Sequence, residues 1–110
     1  MNITTSVVES VTVVRLEGNL DTSTAELAQD TFNEVIDGGA QKVLVNLGDV
    51  KFVSSAGLRV LLAAAKRLGG PGGNLRISNL NDTVNQVFQI SGFTAILSVF
   101  PTDEAALEGF

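Results

Sequence analysis

The sequence predicts one α/β domain over residues 1–110, and three observations support this fold class. Short β-branched runs alternate with amphipathic helical stretches in the order β-β-α-β-α-β-α-β-α. Strands that alternate with helices in this way pair in parallel through right-handed crossovers. The length of 110 residues is that of one ordinary domain. The composition, 45% hydrophobic and 17% charged, is sufficient to bury a core and argues against disorder.

The chain begins with two predicted strands. β-Branched residues dominate the stretches Thr5–Val8 and Val11–Glu17, and such residues fit the pleated, half-buried surface of a sheet. Glu9 and Ser10 lie between the two stretches and predict a tight turn. The second strand is expected to end at Gly18.

A helix is predicted next, with a signal at each end. Ser23 and Glu26 have the S-x-x-E spacing of a capping box, in which side chains satisfy the free amides of a first turn. One helical face is apolar, and it comprises Ala25, Ala28, Phe32, Val35 and Ile36. Gly38 and Gly39 follow, and they predict a left-handed end to the helix.

The middle of the chain predicts a buried strand and a second helix. Lys42–Leu47 is a nearly continuous apolar run, which is typical of a parallel strand buried on both faces. The helix begins within Phe52–Leu62. Its apolar face comprises Leu58, Leu61, Leu62, Ala65 and Leu68, and its basic face comprises Arg59, Lys66 and Arg67. Gly69–Gly73 comes after this helix, whereas a phosphate-binding P-loop comes before one, so we expect a plain helix-to-strand turn there.

The last third predicts two more strands and two more helices. The strands are Asn74–Ser78 and Ala95–Phe100. Between them, Asn81 is expected to cap a helix that ends at Gly92. The side chains that this helix turns inward are Val84, Val87 and Phe88. Thr102 is expected to cap a short final helix, Asp103–Glu108.

The composition excludes several classes of function. The chain contains no Cys and no His and carries a formal net charge of -5. Disulfides, thiolate metal sites and cysteine nucleophiles are therefore excluded, the commonest general base is missing, and we expect no metal and no cofactor. The negative charge and the lack of a basic run argue against nucleic acid and an anionic membrane as partners. Neither a signal peptide nor a membrane span is evident, so we expect a cytoplasmic protein.

Three polar residues near predicted strand ends are candidates for a binding or acid–base site. Asp21 and Asp49 lie at predicted loop positions, where a pair of carboxylates could hold a metal or transfer protons. Isolated aspartates at turns more often bond to the local backbone, and we favour that role. Asn46 is polar within an apolar strand. Its amide is expected to hold a neighbouring loop, with a ligand role as the alternative.

Ser54 and Ser55 lie between an apolar stretch and the start of a predicted helix. Either hydroxyl could cap that helix. A cap uses only one serine, however, and it leaves Gly57 unexplained, since glycine within a helix costs stability. A phosphate added to one hydroxyl would meet free amides and the positive end of the helix dipole. Because glycine has no side chain, Gly57 would then leave the helix surface beside the serine uncovered, so that another protein could approach the backbone. A catalytic serine is disfavoured because no His is present to serve as its base.

The stretch NLGDVKFVSSAGLRVLL, Asn46–Leu62, together with Leu20–Asp21, resembles the STAS domain of bacterial anti-sigma factor antagonists. The resemblance covers essentially the whole chain and implies a small mixed sheet with helices packed mainly on one face. The usual motif of this family is Asp-Ser-Ser-Gly-Leu, with its first serine phosphorylated.

Alignment on Gly57 makes Ser55 the phosphorylated residue, with Ser54 as the runner-up. The sequence departs from the motif on both sides of Ser55, because Ser54 replaces the usual Asp and Ala56 replaces the second serine. The loss of the carboxylate is expected to affect recognition by a kinase. The partner-binding face that the resemblance implies comprises Asp21, Ser54, Ser55, Ala56, Gly57 and Arg59.

The resemblance also implies a mechanism. An anti-sigma factor with serine-kinase activity would phosphorylate the protein at Ser55. The unphosphorylated form would bind that anti-sigma factor and release the sigma factor, and a serine phosphatase would restore the unphosphorylated form. In this role the protein is a kinase substrate and a ligand, and not an enzyme.

Two other functions are left open by the sequence. The first is a constitutive STAS interaction module in a lipid-transport or stress-signalling complex, which the missing acidic residue before Ser55 favours to some extent. The second is a small enzyme or nucleotide-binding protein, which the absence of His, Cys and a P-loop disfavours.

Overall fold

The structure is a computed structural model that describes residues 1–69 and 74–110. Within these residues it contains five strands, four α-helices and one short 3-10 helix, in the predicted order. The strands are β1 (Asn2–Val8), β2 (Val11–Glu17), β3 (Val43–Asp49), β4 (Leu75–Ser78) and β5 (Ser98–Phe100). The helices are α1 (Ala25–Asp37), α2 (Ser55–Arg67), α3 (Asp82–Ile90) and α4 (Asp103–Leu107), with the 3-10 helix at Phe93–Ala95.

The strands form one mixed sheet in the order β1-β2-β3-β4-β5. β1 pairs with β2 antiparallel, and each later strand pairs in parallel with the strand before it. Glu9 and Ser10 form the turn of the hairpin, with φ values of 50° and 72°. Positive φ at both central residues matches the right-handed twist of the two strands, and the predicted turn is confirmed.

The sheet is covered on both faces, because its side chains alternate between two apolar clusters. On one face, Val43, Val45 and Leu47 pack with residues of α1, α2 and α3. On the other face, Leu44 packs with Ala106 of α4. The predicted burial of β3 on both faces is confirmed, as is a mixed sheet with helices mainly on one face. No helix in the described ranges is long and apolar enough to cross a membrane.

The predicted capping box at the start of α1 is wrong. Thr24 occupies the N-cap position, and its side chain makes no capping hydrogen bond. The Ser23 hydroxyl is engaged by Asp21, whose Oδ1 accepts from Ser23 Oγ at 2.7 Å and from Ser23 N at 2.9 Å. The apolar face of α1 is as predicted, with Phe32 buried at its centre.

The predicted strand Ala95–Phe100 is also wrong in its first half. The amides of Ile96 and Leu97 donate to the carbonyl of Phe93, at 3.0 and 2.7 Å, so they are used in a turn. Only Ser98–Phe100 pairs with β4.

Smaller differences from the predicted elements concern the end of α1 and the apolar face of α2. Gly39 has φ of +109° and provides the left-handed residue after α1, whereas Gly38 is right-handed. Leu62 is only half-buried. The turn predicted at Gly69–Gly73 falls on residues 70–73, which lie outside the described residues.

Candidate functional site

The candidate site lies at the start of α2, where the two adjacent serines differ in their surroundings. Ser54 is the N-cap, with extended backbone, and its Oγ accepts from the amide of Gly57 at 3.4 Å. Ser55 is the first residue of the helix, and it is exposed while Ser54 is half-buried. The cap therefore accounts for Ser54 and leaves the side chain of Ser55 facing solvent.

Backbone hydrogen bonds fix this helix start against the segment that follows β2. Leu20 N donates to the Phe52 carbonyl, and Ser54 N donates to the Leu20 carbonyl, both at 2.9 Å. Leu20 and Val53 form an isolated parallel bridge. Ser54 is consequently held next to Leu20, which Asp21 directly follows in the chain.

Gly57 is buried and packs against Leu20. A Cβ at this position would lie 2.6 Å from the Leu20 carbonyl oxygen, 2.7 Å from Leu20 Cγ and 3.1 Å from Val53 Cγ1. The glycine is thus required by contacts within the chain. The expectation that it leaves the helix surface uncovered for a partner is wrong, because Leu20 fills that space.

Asp21 has the turn role that its sequence position favoured. Its Oδ1 accepts from Ser23 Oγ and Ser23 N. The hydrogen bond from the Ser23 hydroxyl is the main reason that the pKa of Asp21 lies below its ordinary value. The carboxylate is therefore charged at neutral pH.

Asp49 does not lie in a loop as predicted, because it is the last residue of β3. Its carbonyl accepts from the amide of Gly18 at 3.1 Å, and its side chain is exposed. Among the residues that the structure describes, no group of three or more acidic side chains could hold a metal ion.

Asn46 lies within β3 and is buried, and its side chain makes two kinds of contact. Its Oδ1 accepts at 2.8 Å from the amide of Gly48, a residue of the same strand and not of the neighbouring loop that was predicted. Its Nδ2 donates to both oxygens of Asp103 in α4, at 3.0 and 3.1 Å. This second contact was not predicted, because the two residues are 57 positions apart in sequence.

The carboxylate of Asp103 is the centre of a polar cluster. It also accepts from Ser78 Oγ, from Asn79 Nδ2 at 3.1 Å and from Arg15 at 3.3 Å. Asn46 follows Val45 in the strand and points to the opposite face of the sheet, the face that α4 covers. The cluster therefore joins α4 to the sheet and is separate from the serines.

A shallow hollow of about 350 Å³ lies between α1 and α2. Its lining residues are small or uncharged except for Arg59, which is exposed. They are Ala25, Gln29, Ala56, Arg59, Val60 and Ala63. Of the predicted face, Ser54, Ser55 and Ala56 lie at the start of α2, Arg59 follows one turn later, and Gly57 is buried. Asp21 lies outside the helix, directly after Leu20, whose carbonyl accepts from Ser54 N.

Comparison with known proteins gives one family. The family model described as STAS domain matches residues 2–106 of this chain. A protein of Bordetella bronchiseptica, BtrV, bears the name of an anti-sigma factor antagonist and is 34% identical over 110 residues. The alignment covers 100% of this chain and 95% of that protein.

Two solved proteins share the fold over nearly the whole chain. The anti-sigma factor antagonist SpoIIAA of Bacillus is similar in its unphosphorylated form, with a TM-score of 0.79, 27% identity, and coverage of 97% of this chain and 94% of that one. Its phosphorylated form gives a TM-score of 0.71, 26% identity and 97% coverage of both chains. The Thermotoga maritima protein tm1081 has a TM-score of 0.89 at 23% identity, and the match covers 96% of this chain and 92% of that chain. At this level of identity, the similarity shows a common fold and nothing further.

Proposed function

The chain belongs to the STAS domain family, among relatives named anti-sigma factor antagonists, and we propose that it is an antagonist switched by phosphorylation of Ser55. In its unphosphorylated form it binds an anti-sigma factor that is also a serine kinase, and the sigma factor is released. The kinase transfers the terminal phosphoryl group of ATP to the Ser55 hydroxyl, with release of ADP and a proton. The phosphorylated form no longer binds, and a serine phosphatase reverses the modification.

The observation that carries this proposal is the difference between the two serines. A kinase must reach a hydroxyl and align it with the phosphoryl group of ATP. The hydroxyl of Ser54 is half-buried and engaged in the helix cap, whereas Ser55 is exposed. This difference favours Ser55 over Ser54 independently of the alignment to the family motif.

The position of Ser55 allows the fold to accept a phosphate. A phosphoserine carries about -1.5 to -2 charges at neutral pH. The first turn of α2 contains no acidic residue, and the positive end of the helix dipole favours an anion there. Modification is therefore expected to change the surface of the protein without unfolding it.

The same charge accounts for loss of binding. A partner surface built for a neutral hydroxyl would have to bury an uncompensated dianion. A penalty of about 3 kcal/mol would lower affinity by roughly a hundredfold, since about 1.4 kcal/mol is tenfold. We propose that Asp21, Ala56 and Arg59 surround Ser55 on the face that meets the partner. SpoIIAA, for which both a phosphorylated and an unphosphorylated structure are known, supports a two-state mechanism of this kind.

The departure from the family motif has a defined consequence. Ser54 stands where the family has Asp, so the residue before the phosphate acceptor is neutral. The kinase partner is therefore expected to lack a cationic group directed at this position. We propose no catalytic role for the protein.

The test is a comparative capture from lysate of the native host with two variants. We expect Ser55→Ala to retain a protein with a serine-kinase domain and Ser55→Asp to lose it, with identification by mass spectrometry. Thr83→Asp, at an exposed position in the first turn of α3, is the matched control and should retain the same protein. The captured kinase with ATP should phosphorylate the wild-type protein at Ser55 and leave Ser55→Ala unmodified.

Equal retention of the same proteins by the Ala and Asp variants would overturn the switch. The identity of those proteins would then point to a constitutive interaction module. Phosphorylation found at Ser54 in place of Ser55 would overturn the assignment of the residue and leave the mechanism standing.

A further inference from the structure

Arg59 lies one helical turn after Ser55, and both side chains are exposed on α2. Residues four positions apart occupy the same face of a helix, about 5–6 Å apart at their Cβ atoms. Helical side chains point back towards the amino-terminal end of the helix. A guanidinium at position 59 can therefore reach back over the turn that contains Ser55.

Arg59 is not committed to an anion in the part of the chain that the structure describes. The two ion pairs found there join Arg15 to Asp103 and Arg67 to Asp37. Arg76 donates to three carbonyls near the end of α4 and lies over the rings of Phe100 and Phe110. Arg59 lines the hollow beside Ala56, and α1 faces that hollow with Ala25 and Gln29, neither of which is charged.

We propose that Arg59 is the intramolecular partner of the phosphate on Ser55. The inference rests on the proposed phosphorylation of that residue. The guanidinium presents donors in a planar fork that matches the oxygens of a phosphate. It folds back along the helix onto the phosphate, while the amides of the first turn face the phosphate from the other side.

This pairing gives Arg59 a different role in each state of the protein. Before phosphorylation, its positive charge is free to meet an acidic group of the partner. After phosphorylation it is occupied by the phosphate within the same chain. The modification therefore adds a negative charge to the docking face and at the same time withdraws a positive one, so one covalent event changes two contacts.

The test uses protein in which phosphoserine is placed at position 55 during translation, so that no kinase is needed. The second pKa of the phosphate is measured by ³¹P NMR as a function of pH. Replacing Arg59 by Gln removes a cation that favours the dianion, so the pKa is expected to rise by about 0.2 to 0.7 in Arg59→Gln. Arg59→Lys, which keeps the charge without the planar fork, should give an intermediate value.

Lys66→Gln is the matched control, because it removes one exposed positive charge from the same helix. Lys66 is eleven residues from Ser55, roughly 16 Å along the axis, which is about two Debye lengths at physiological ionic strength. Its replacement should leave the phosphate pKa unchanged. The other charges close to this turn, Asp21 beside Leu20 and Lys51 before the helix, are the same in every variant.

A second readout is specific for contact. The Nε–H resonance of Arg59 in ¹H–¹⁵N spectra should move with the same midpoint as the phosphate titration. The inference would be overturned if the phosphate pKa were the same in wild type and Arg59→Gln and the Arg59 resonance did not move during the titration. The proposed function would survive that result if Ser55→Asp still abolished capture of the kinase. Conversely, a shifted phosphate pKa without a captured kinase would leave the pairing intact and remove the proposed function.

Discussion

Ser54 and Ser55 are chemically identical neighbours whose hydroxyls have different environments. The Ser54 hydroxyl accepts from Gly57 N and satisfies one of the free amides at the start of α2. Ser55 is exposed one position later. The capping role of Ser54 and the proposed signalling role of Ser55 therefore lie side by side, and mutation of each residue should separate them.

Ser54→Ala is expected to lower the free energy of unfolding by about 0.5–1 kcal/mol. This is the low end for loss of an N-cap, because the capping distance of 3.4 Å is long. Ser55→Ala should change stability by less than about 0.5 kcal/mol, as exposed substitutions usually do. Urea unfolding of both variants measures the difference. A larger loss for Ser55→Ala than for Ser54→Ala would show that the cap has been assigned to the wrong residue.

The capping box that failed at Ser23 shows a limit of prediction for single residues. The spacing from Ser23 to Glu26 is that of the motif. Asp21, however, offers its carboxylate to both the amide and the hydroxyl of Ser23. Side chains such as Asp compete with helix caps for the same local donors, and residue spacing does not decide which hydrogen bond is stronger.

At the scale of elements, the contact between α2 and the segment after β2 decides which residue can occupy position 57. Leu20 packs against Gly57, and the backbone of the segment after β2 comes close to the helix at this point. Alanine would favour the helix by about 1 kcal/mol over glycine. Its Cβ would nevertheless lie 2.6 Å from the Leu20 carbonyl oxygen, and that oxygen also accepts from Ser54 N.

Gly57→Ala is expected to lower the free energy of unfolding by about 1–3 kcal/mol, because overpacking outweighs helix propensity. The control is Ala63→Gly, an exposed position in the same helix. It should also cost stability, by about 1 kcal/mol, for reasons of propensity alone. Glycine to alanine at position 57 and alanine to glycine at position 63 should therefore both destabilise the protein in thermal or urea unfolding. An increase in stability for Gly57→Ala would mean that Leu20 moves aside without cost.

The helices and strands could be predicted from the periodicity of apolar residues. The same periodicity predicts which face of each helix is buried. The position of the candidate site could be predicted in part. Once a helix is predicted after Ser54, Ser55 and Arg59 lie one helical turn apart on it. The role of Gly57 could not be predicted. It depends on the parallel bridge between Leu20 and Val53, and no local pattern encodes that bridge. The shortened β5 was missed because an apolar run alone does not distinguish a strand from a tight turn.

At the scale of the whole molecule, the sheet separates the region of the proposed docking face from the region held together by the Asp103 cluster. The face covered by α1, α2 and α3 includes the exposed start of α2 with Ser55. The opposite face holds only α4 among the described helices, and the Asp103 cluster joins that helix to β3 and β4. Substitutions on the α4 side should therefore change the stability of the protein without changing the proposed docking face.

Asp103→Ala is expected to lower the free energy of unfolding by about 2–3 kcal/mol. It leaves the amide of Asn46 and the hydroxyl of Ser78, both buried, without their acceptor. Glu104→Ala removes an exposed carboxylate from the next position and should cost less than about 0.5 kcal/mol. Urea unfolding gives the stabilities, and amide chemical shifts should change around α4 and stay constant around Ser55. Equal stability of the two variants, or shifts that extend to Ser55, would contradict the separation.

The strand order of the sheet is also the order of the strands along the chain. Each strand can therefore be added to the free edge left by the previous one, and none has to be inserted between two that are already paired. During synthesis, which proceeds from the amino terminus at about 5–20 residues per second, the hairpin can form first and the sheet can lengthen in one direction. Pairing between consecutive strands also keeps the sequence distance between contacts short, which favours rapid folding.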